Sequence, residues 1–158
     1  MTDATPVPTL EHSIDIAAPV SRVWELVSDL PRMASWSPQV VRTTVAGGVV
    51  REGATFKNFN RQGVLRWPTA GKVVRYVEGR EIAFRIKENK TIWSFTLADD
   101  GQGGTRVVQR REAPDGISTV SKVLTKAILG GPEKFTATLN SGMQQTLSRL
   151  KAEAESGA

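Results

Sequence analysis

Residues 11–16 read Glu-His-Ser-Ile-Asp-Ile, an alternation that puts His12, Ile14 and Ile16 on one face and Ser13 and Asp15 on the other. This predicts a first strand. The period then changes. Pro19 suits a first helical turn, and Val23, Trp24 and Val27 recur at helical spacing, which predicts a helix to about Ser28. Residues 33–38 predict a short turn or second helix that stops at Pro38, because the residue before a proline is pushed out of helical geometry.

From Val40 onward the period is two. Segments 40–45, 55–61, 67–77, 81–87, 91–98 and 105–112 are rich in β-branched or aromatic residues. The breaks carry turn chemistry at Gly47-Gly48, Gln62-Gly63, Glu78-Gly79, Asn89 and Asp99-Asp100-Gly101. Short connections between successive strands predict an antiparallel meander, and the first strand brings the total to seven.

After Pro114 the period is helical again. Val120, Val123, Leu124, Ala127 and Ile128 form an apolar face in 117–129, with Lys122 and Lys126 projecting elsewhere and Gly130-Gly131 closing the segment. Phe135, Leu139, Met143, Leu147 and Leu150 then define the stripe of a final helix of about five turns starting near Pro132. A curved sheet must cover its open face, and this helix is the element long enough to do so. The predicted class is therefore α+β, a seven-stranded antiparallel sheet wrapped around a long C-terminal helix, with two short helices after the first strand.

Composition narrows the chemistry. The chain has 158 residues, 39% hydrophobic and 23% charged, which suits one domain with a core and room for a cavity. A single domain over 1–158 is expected, ordered from about 11 to 152. Cysteine is absent, which removes disulfides, thiol catalysis and cysteine zinc sites. His12 is the sole histidine, so an imidazole-rich metal site or a Ser-His-Asp relay would rest on one residue near the N-terminus. No metal or cofactor is expected. The glycines of 101–104 fall between two strands rather than between a strand and a helix, which disfavours a nucleotide cofactor.

The first ten residues hold no apolar stretch of the secretory kind, and no uncharged run approaches the roughly 20 residues that span a bilayer. The cytoplasm is the expected compartment. The formal charge of +5 is local: Arg51, Lys57, Arg61, Arg66, Lys72 and Arg75 are offset between 51 and 75 by Glu52 alone. Such a segment is either a solvated sheet face or a surface that attracts anionic lipid, an acidic ligand or nucleic acid. The pattern sets no oligomeric state.

The order of elements is similar to that of the START-like, or SRPBCC, proteins, in particular the polyketide cyclase/dehydrase and lipid-transport branch. The resemblance rests on Ile14-Asp-Ile-Ala-Ala-Pro19, Val23-Trp24, Val27-Ser-Asp29, Trp36-Ser-Pro38, Gly53-Ala-Thr-Phe56, Glu78-Gly79-Arg80, Trp93-Ser-Phe95 and Gly104-Thr-Arg-Val107. It runs from about residue 11 to residue 152. It implies a helix-grip fold with a deep cavity between sheet and terminal helix, holding a hydrophobic small molecule such as a lipid, fatty acid, sterol or polyketide. It also implies that 117–129 lies over the cavity mouth, where an apolar face flanked by lysines suits a gate touching an anionic membrane; the alternative is plain packing on the body.

Strand phase then selects candidate ligand-binding residues. Trp93, Phe95 and Leu97 are bulkier than Ile92, Ser94 and Thr96 and should point inward, and Phe84 should do so between Ile82 and Ile86. Phe56 inward carries Asn58 and Asn60 with it, and Val107 inward carries Gln109 and Arg111. Tyr76 joins them if it shares an inward phase with Val74. Trp36, Leu139 and Met143 complete the expected lining. The polar members either recognise oxygens of a ligand or are satisfied by neighbouring protein groups.

Three functions stay open. A carrier or sensor of a hydrophobic molecule leads. An aromatase/cyclase or dehydratase is second, with Tyr76 and Arg111 as its candidate catalytic groups, polarising a carbonyl while water moves protons. A regulatory or toxin-like protein acting through its basic surface is third, with nucleic acid the disfavoured partner.

Overall fold

Alternation through residues 40–112 and the short turns between strands decide the architecture, in a computed structural model that describes residues 9–115 and 132–156. The strands are β1 (Leu10–Ile16), β2 (Val40–Val45), β3 (Thr55–Gln62), β4 (Leu65–Val77), β5 (Glu81–Ile86), β6 (Ile92–Asp99) and β7 (Thr105–Glu112). They form one curved seven-stranded antiparallel sheet in the order β1-β7-β6-β5-β4-β3-β2. The meander closes on itself only at β1, which pairs with β7 from Leu10 opposite Arg111 to Ile16 opposite Thr105. Helices α1 (Val20–Ser28) and α2 (Met33–Trp36) follow β1, with a 3-10 turn over Leu30–Arg32, and α3 (Pro132–Glu155) ends the chain. This is the helix-grip fold.

The core lies between the sheet's concave face and the helices. Val23, Leu26 and Val27 of α1, Leu30, Met33 and Trp36 meet Ile16, Phe56, Val73, Ile82, Phe95 and Val107 from the strands. Apolar side chains at the predicted spacings leave water together, and about 25 cal/mol per Å² of buried apolar area drives the arrangement. Helix α3 packs on β1, α1 and α2. At 24 residues it outruns the five turns predicted from its stripe. The burial continues past Leu150 to Ala154, a residue too small to register as a stripe position. The end is pinned where Glu155 Oε2 accepts from Ala17 N (2.7 Å) and Lys151 Nζ donates to Asp15 O (2.9 Å).

Two glycines serve geometry. Gly63, with φ of 61°, takes the first position of the two-residue β3–β4 turn, where positive φ matches the strand twist. Gly71 sits opposite Phe56, and a β-carbon there would overlap the ring, with Phe56 Cε1 at 2.9 Å. Its bare backbone lets Phe56 lie across β4 and meet Phe84 edge-on, centroids 5.4 Å apart.

Simple alternation fails in β4. A bulge between Val73 and Arg75 inserts an extra residue, so Val73 opposes Phe84 and Tyr76 opposes Ile82. The inward pair is Val73 and Tyr76, not Val74 and Tyr76. The helix predicted over 117–129, with its gating role, lies outside the described residues.

The convex face is also patterned. Ala83 and Ser94, outward by phase, are nonetheless buried, in a cross-strand row that runs from Arg75 through Ala83 and Ser94 to Arg110. Small residues there leave room for long arginine stems to lie over the sheet. Four arginines toward the β7 side find acids: Arg75 pairs with Glu81 (3.4 Å) and Glu112 (3.8 Å), Arg110 with Glu11, Arg85 with Asp115, and Arg106 with Asp15 (3.3 Å).

Candidate ligand-binding site

Phase carries five of the predicted polar or aromatic strand residues to the concave side as expected: Phe56, Asn58, Asn60, Gln109 and Arg111 are buried. Their hydrogen bonding divides them. Asn58 Oδ1 accepts from Thr43 Oγ1 at 2.6 Å, and Asn60 Nδ2 donates to Thr69 Oγ1 (2.9 Å) and to the Trp67 carbonyl (3.2 Å). These amides tie β2, β3 and β4 together. They are satisfied by protein groups, which is what buried amides require.

Gln109 and Arg111 are different. Gln109 Oε1 and Arg111 Nε are buried without a hydrogen-bond partner among the described residues. Arg111 is 4% exposed, and among the described residues it forms no ion pair. Its guanidinium carbon lies 5.8 Å from the Trp93 ring centroid and 5.7 Å from that of Phe135 on α3. Both ring faces attract the cation and offset part of its lost hydration. Loss of hydration pushes the Arg111 pKa down to about 10.

The strand register sets the neighbours. Arg111 lies between Leu10 of β1 and Trp93 of β6, and Gln109 between His12 and Phe95. His12, inward as predicted, is half-buried, and its Nε2 hydrogen bonds Asn140 Oδ1 of α3 at 2.8 Å. Trp93, Gln109 and Arg111 thus come together with Phe135, His12 and Asn140 where α3 crosses β1 and β7. Phe135 was visible only as a stripe position, and Asn140 gave no signal, since it stands one residue off the stripe. A helix gripped by a concave sheet touches protein on its flanks as well as along one line.

The other predicted lining residues form the apolar interior beside this cluster. Trp36 is enclosed: its Nε1 donates to the Leu26 carbonyl (3.3 Å) and its ring meets Phe95 edge-on at 5.3 Å. Phe84 is locked with Phe56, and Leu139 and Met143 are buried on α3. Tyr76 is half-buried with its ring 5.4 Å from Trp24.

Because α3 leans on β1, it leaves a gap on its opposite flank. A cleft of about 670 Å³ lies there, between Ala137, Thr138, Ser141, Gly142 and Gln145 of α3 and Pro38, Gln39, Val41, Arg61, Gln62 and Gly63 at the β2–β3 edge. Gln39 Nε2 donates to Gln62 Oε1 across its floor at 2.8 Å. None of the residues predicted from strand phase lines this cleft, because phase reports the sheet's face and the cleft lies at its edge. Among the described residues no three His, Asp or Glu side chains cluster as a metal site, and no helix is long and apolar enough to cross a membrane.

A family model described as polyketide cyclase/dehydrase and lipid transport matches residues 7–155. None of the curated protein sequences matches this chain. Among solved structures, the di-domain aromatase/cyclase StfQ of the steffimycin biosynthetic pathway superimposes with a TM-score of 0.74 at 16% identity, over 94% of this chain and 50% of that one. The chain therefore spans half the length of that protein. The Zhui aromatase/cyclase from Streptomyces sp. R1128 gives 0.73 at 16% identity, over 94% and 93% of the two chains. Protein Ms6760 from Mycobacterium smegmatis gives 0.67 at 18% identity, over 99% of each. At these identities the likeness establishes the fold.

Proposed function

We infer that this chain, which belongs to the polyketide cyclase/dehydrase and lipid transport family, binds a hydrophobic small molecule with an acidic or oxygen-rich head, as a carrier or sensor. The observation that carries this reading is Arg111: a buried cation with no carboxylate partner among the described residues, 5.8 Å from the Trp93 ring centroid and 5.7 Å from that of Phe135, beside an amide oxygen on Gln109 that has no partner among those residues. An uncompensated buried charge is costly, and a ligand anion would offset that cost with charge-assisted hydrogen bonds. The Gln109 oxygen accepts, so a head group that also donates, a hydroxyl or an enol, complements the pair. Phe56, Phe84 and Phe95 are packed in the core, so the ligand's apolar body lies against the rings of Trp93 and Phe135 beside Arg111.

The experiment is displacement of a fluorescent fatty acid by unlabelled fatty acid and by its methyl ester. The acid should compete at least tenfold better, as expected for a charge-assisted contact worth about 1.5–3 kcal/mol. Arg111→Met should abolish the difference. Equal competition by acid and ester would remove the reading.

The same buried cation also favours a second reading, because a group that holds a carboxylate also stabilises an enolate. In that reading Arg111 polarises a substrate carbonyl, and His12, the one imidazole on this rim, exchanges the α-proton, with Tyr76 set back against Trp24. Deuterium uptake at the α-carbon of a β-keto thioester, followed by NMR with and without the protein, tests it. An unchanged exchange rate sinks the enzyme reading and leaves the carrier untouched.

A further inference from the structure

The cations of the convex face are segregated. Arg75 at the C-terminal end of β4, Arg85 of β5, and Arg106 and Arg110 of β7 each sit beside an acid. On β2, β3 and β4 the exposed Arg42, Lys57, Arg61, Arg66 and Lys72 form no ion pair among the described residues. Arg61 and Arg66 even stand directly opposite each other across the β3–β4 pair. Like charges facing one another across two strands are destabilising, and a nearby acid would relieve them. Arg61 Nε instead donates to the Gly63 carbonyl at 3.2 Å, which holds its side chain at the hairpin tip.

That tip is apolar. Val64 is 96% exposed at the turn next to the Arg61–Arg66 pair, and Leu65, paired with Gln62 on the other side of the hairpin, is also exposed. Further along the face, exposed Phe59 stands between Arg42 and Pro68. Scattered apolar residues on a surface need no explanation, but an aliphatic tip flanked by unpaired cations has the composition of an interfacial anchor. The hairpin also borders the cleft, since Arg61, Gln62 and Gly63 form part of its wall.

We propose that the β3–β4 hairpin docks on an anionic lipid surface, with Val64 and Leu65 entering the acyl boundary and Arg61 and Arg66 binding lipid phosphates, so that the cleft beside α3 opens onto the bilayer. Charge complementarity commits the occupant: unpaired cations attract acidic head groups at about fivefold in affinity per residue near the surface. Aliphatic side chains at the point of contact favour a lipid over a nucleic acid, which would call for stacking rings there. The docking surface is separate from Arg111, and its test is independent of which ligand the interior holds.

The test is co-sedimentation of the full chain with phosphatidylcholine vesicles prepared with and without phosphatidylglycerol. Binding should require phosphatidylglycerol and weaken with added salt. Val64→Asp should lower it about tenfold, and Arg61→Ala with Arg66→Ala by about 10- to 30-fold. Arg106→Ala, which removes a paired cation from the other half of the same sheet, should leave it unchanged. Circular dichroism establishes that each variant is folded; Val64→Ser replaces Val64→Asp if that variant is not. The proposal is overturned if anionic vesicles do not bind, if the hairpin variants bind like the parent, or if the chain captures single-stranded RNA more tightly and the same variants abolish that instead.

Discussion

Arg111 stands directly across the β6–β7 pair from Trp93, its guanidinium carbon 5.8 Å from the indole centroid, with no carboxylate among the described residues to neutralise it. The ring offsets part of the lost hydration but supplies no acceptor for Nε. The buried charge therefore carries a net cost, and Arg111→Met should stabilise the protein by about 1–3 kcal/mol while destroying the preference for an acidic ligand. Thermal unfolding of the two purified proteins checks this; a destabilised variant would mean that Arg111 serves the fold.

The pH dependence has a definite sign. With the folded pKa pushed down to about 10, below the ordinary arginine value, the folded state binds fewer protons than the unfolded state between those limits. Stability contributed by this group therefore rises with pH across that window. The advantage of Arg111→Met over the parent should be full at pH 8–9 and shrink as pH passes 10. Melting curves of both proteins from neutral pH to pH 11 measure the difference, in which the other titrating groups cancel.

Gly71 leaves no room for a side chain beneath Phe56, itself 2% exposed and unable to swing aside. Gly71→Ala should cost about 1–3 kcal/mol through overpacking, despite the better strand propensity of alanine. Chemical denaturation provides the number, and a neutral result would mean that β4 bends away from the ring.

Gly142 gives the opposite expectation. A β-carbon at this helical position would meet only Pro38 Cγ, at an ordinary 3.7 Å. Gly142→Ala should therefore stabilise α3 by about 0.5–1 kcal/mol, since glycine inside a helix is penalised relative to alanine. Gly142→Leu projects into the cleft and should slow ligand entry if that is the way in, measured by stopped-flow fluorescence of a fatty-acid probe.

Trp36 caps the end of α1. Its indole N–H reaches the Leu26 carbonyl, one of the last carbonyls of a nine-residue helix. Trp36→Phe removes that donor and part of the edge contact with Phe95, and should cost about 2 kcal/mol in denaturant unfolding.

The amino-acid sequence by itself determined the element order and the inward phase of most strands, because alternation and turn chemistry are local properties. Val107 sufficed to place Gln109 and Arg111, and Phe56 to place Asn58, on the sheet face that Trp93, Phe95 and Leu97 share. The β4 bulge escaped it, since a bulge is defined by the partner strand. The cleft escaped it too, since which flank α3 leans on depends on packing against β1, α1 and α2.

Adjacent Arg110 and Arg111 show the division best. Their side chains face opposite sides of β7 because a strand alternates, and that much was legible. Only the tertiary structure gave Arg110 a carboxylate, from Glu11 on β1, and enclosed Arg111 between Trp93 and Phe135 with none. Satisfaction of a buried group is a property of what lies within hydrogen-bond reach, and those partners come from residues distant in the chain.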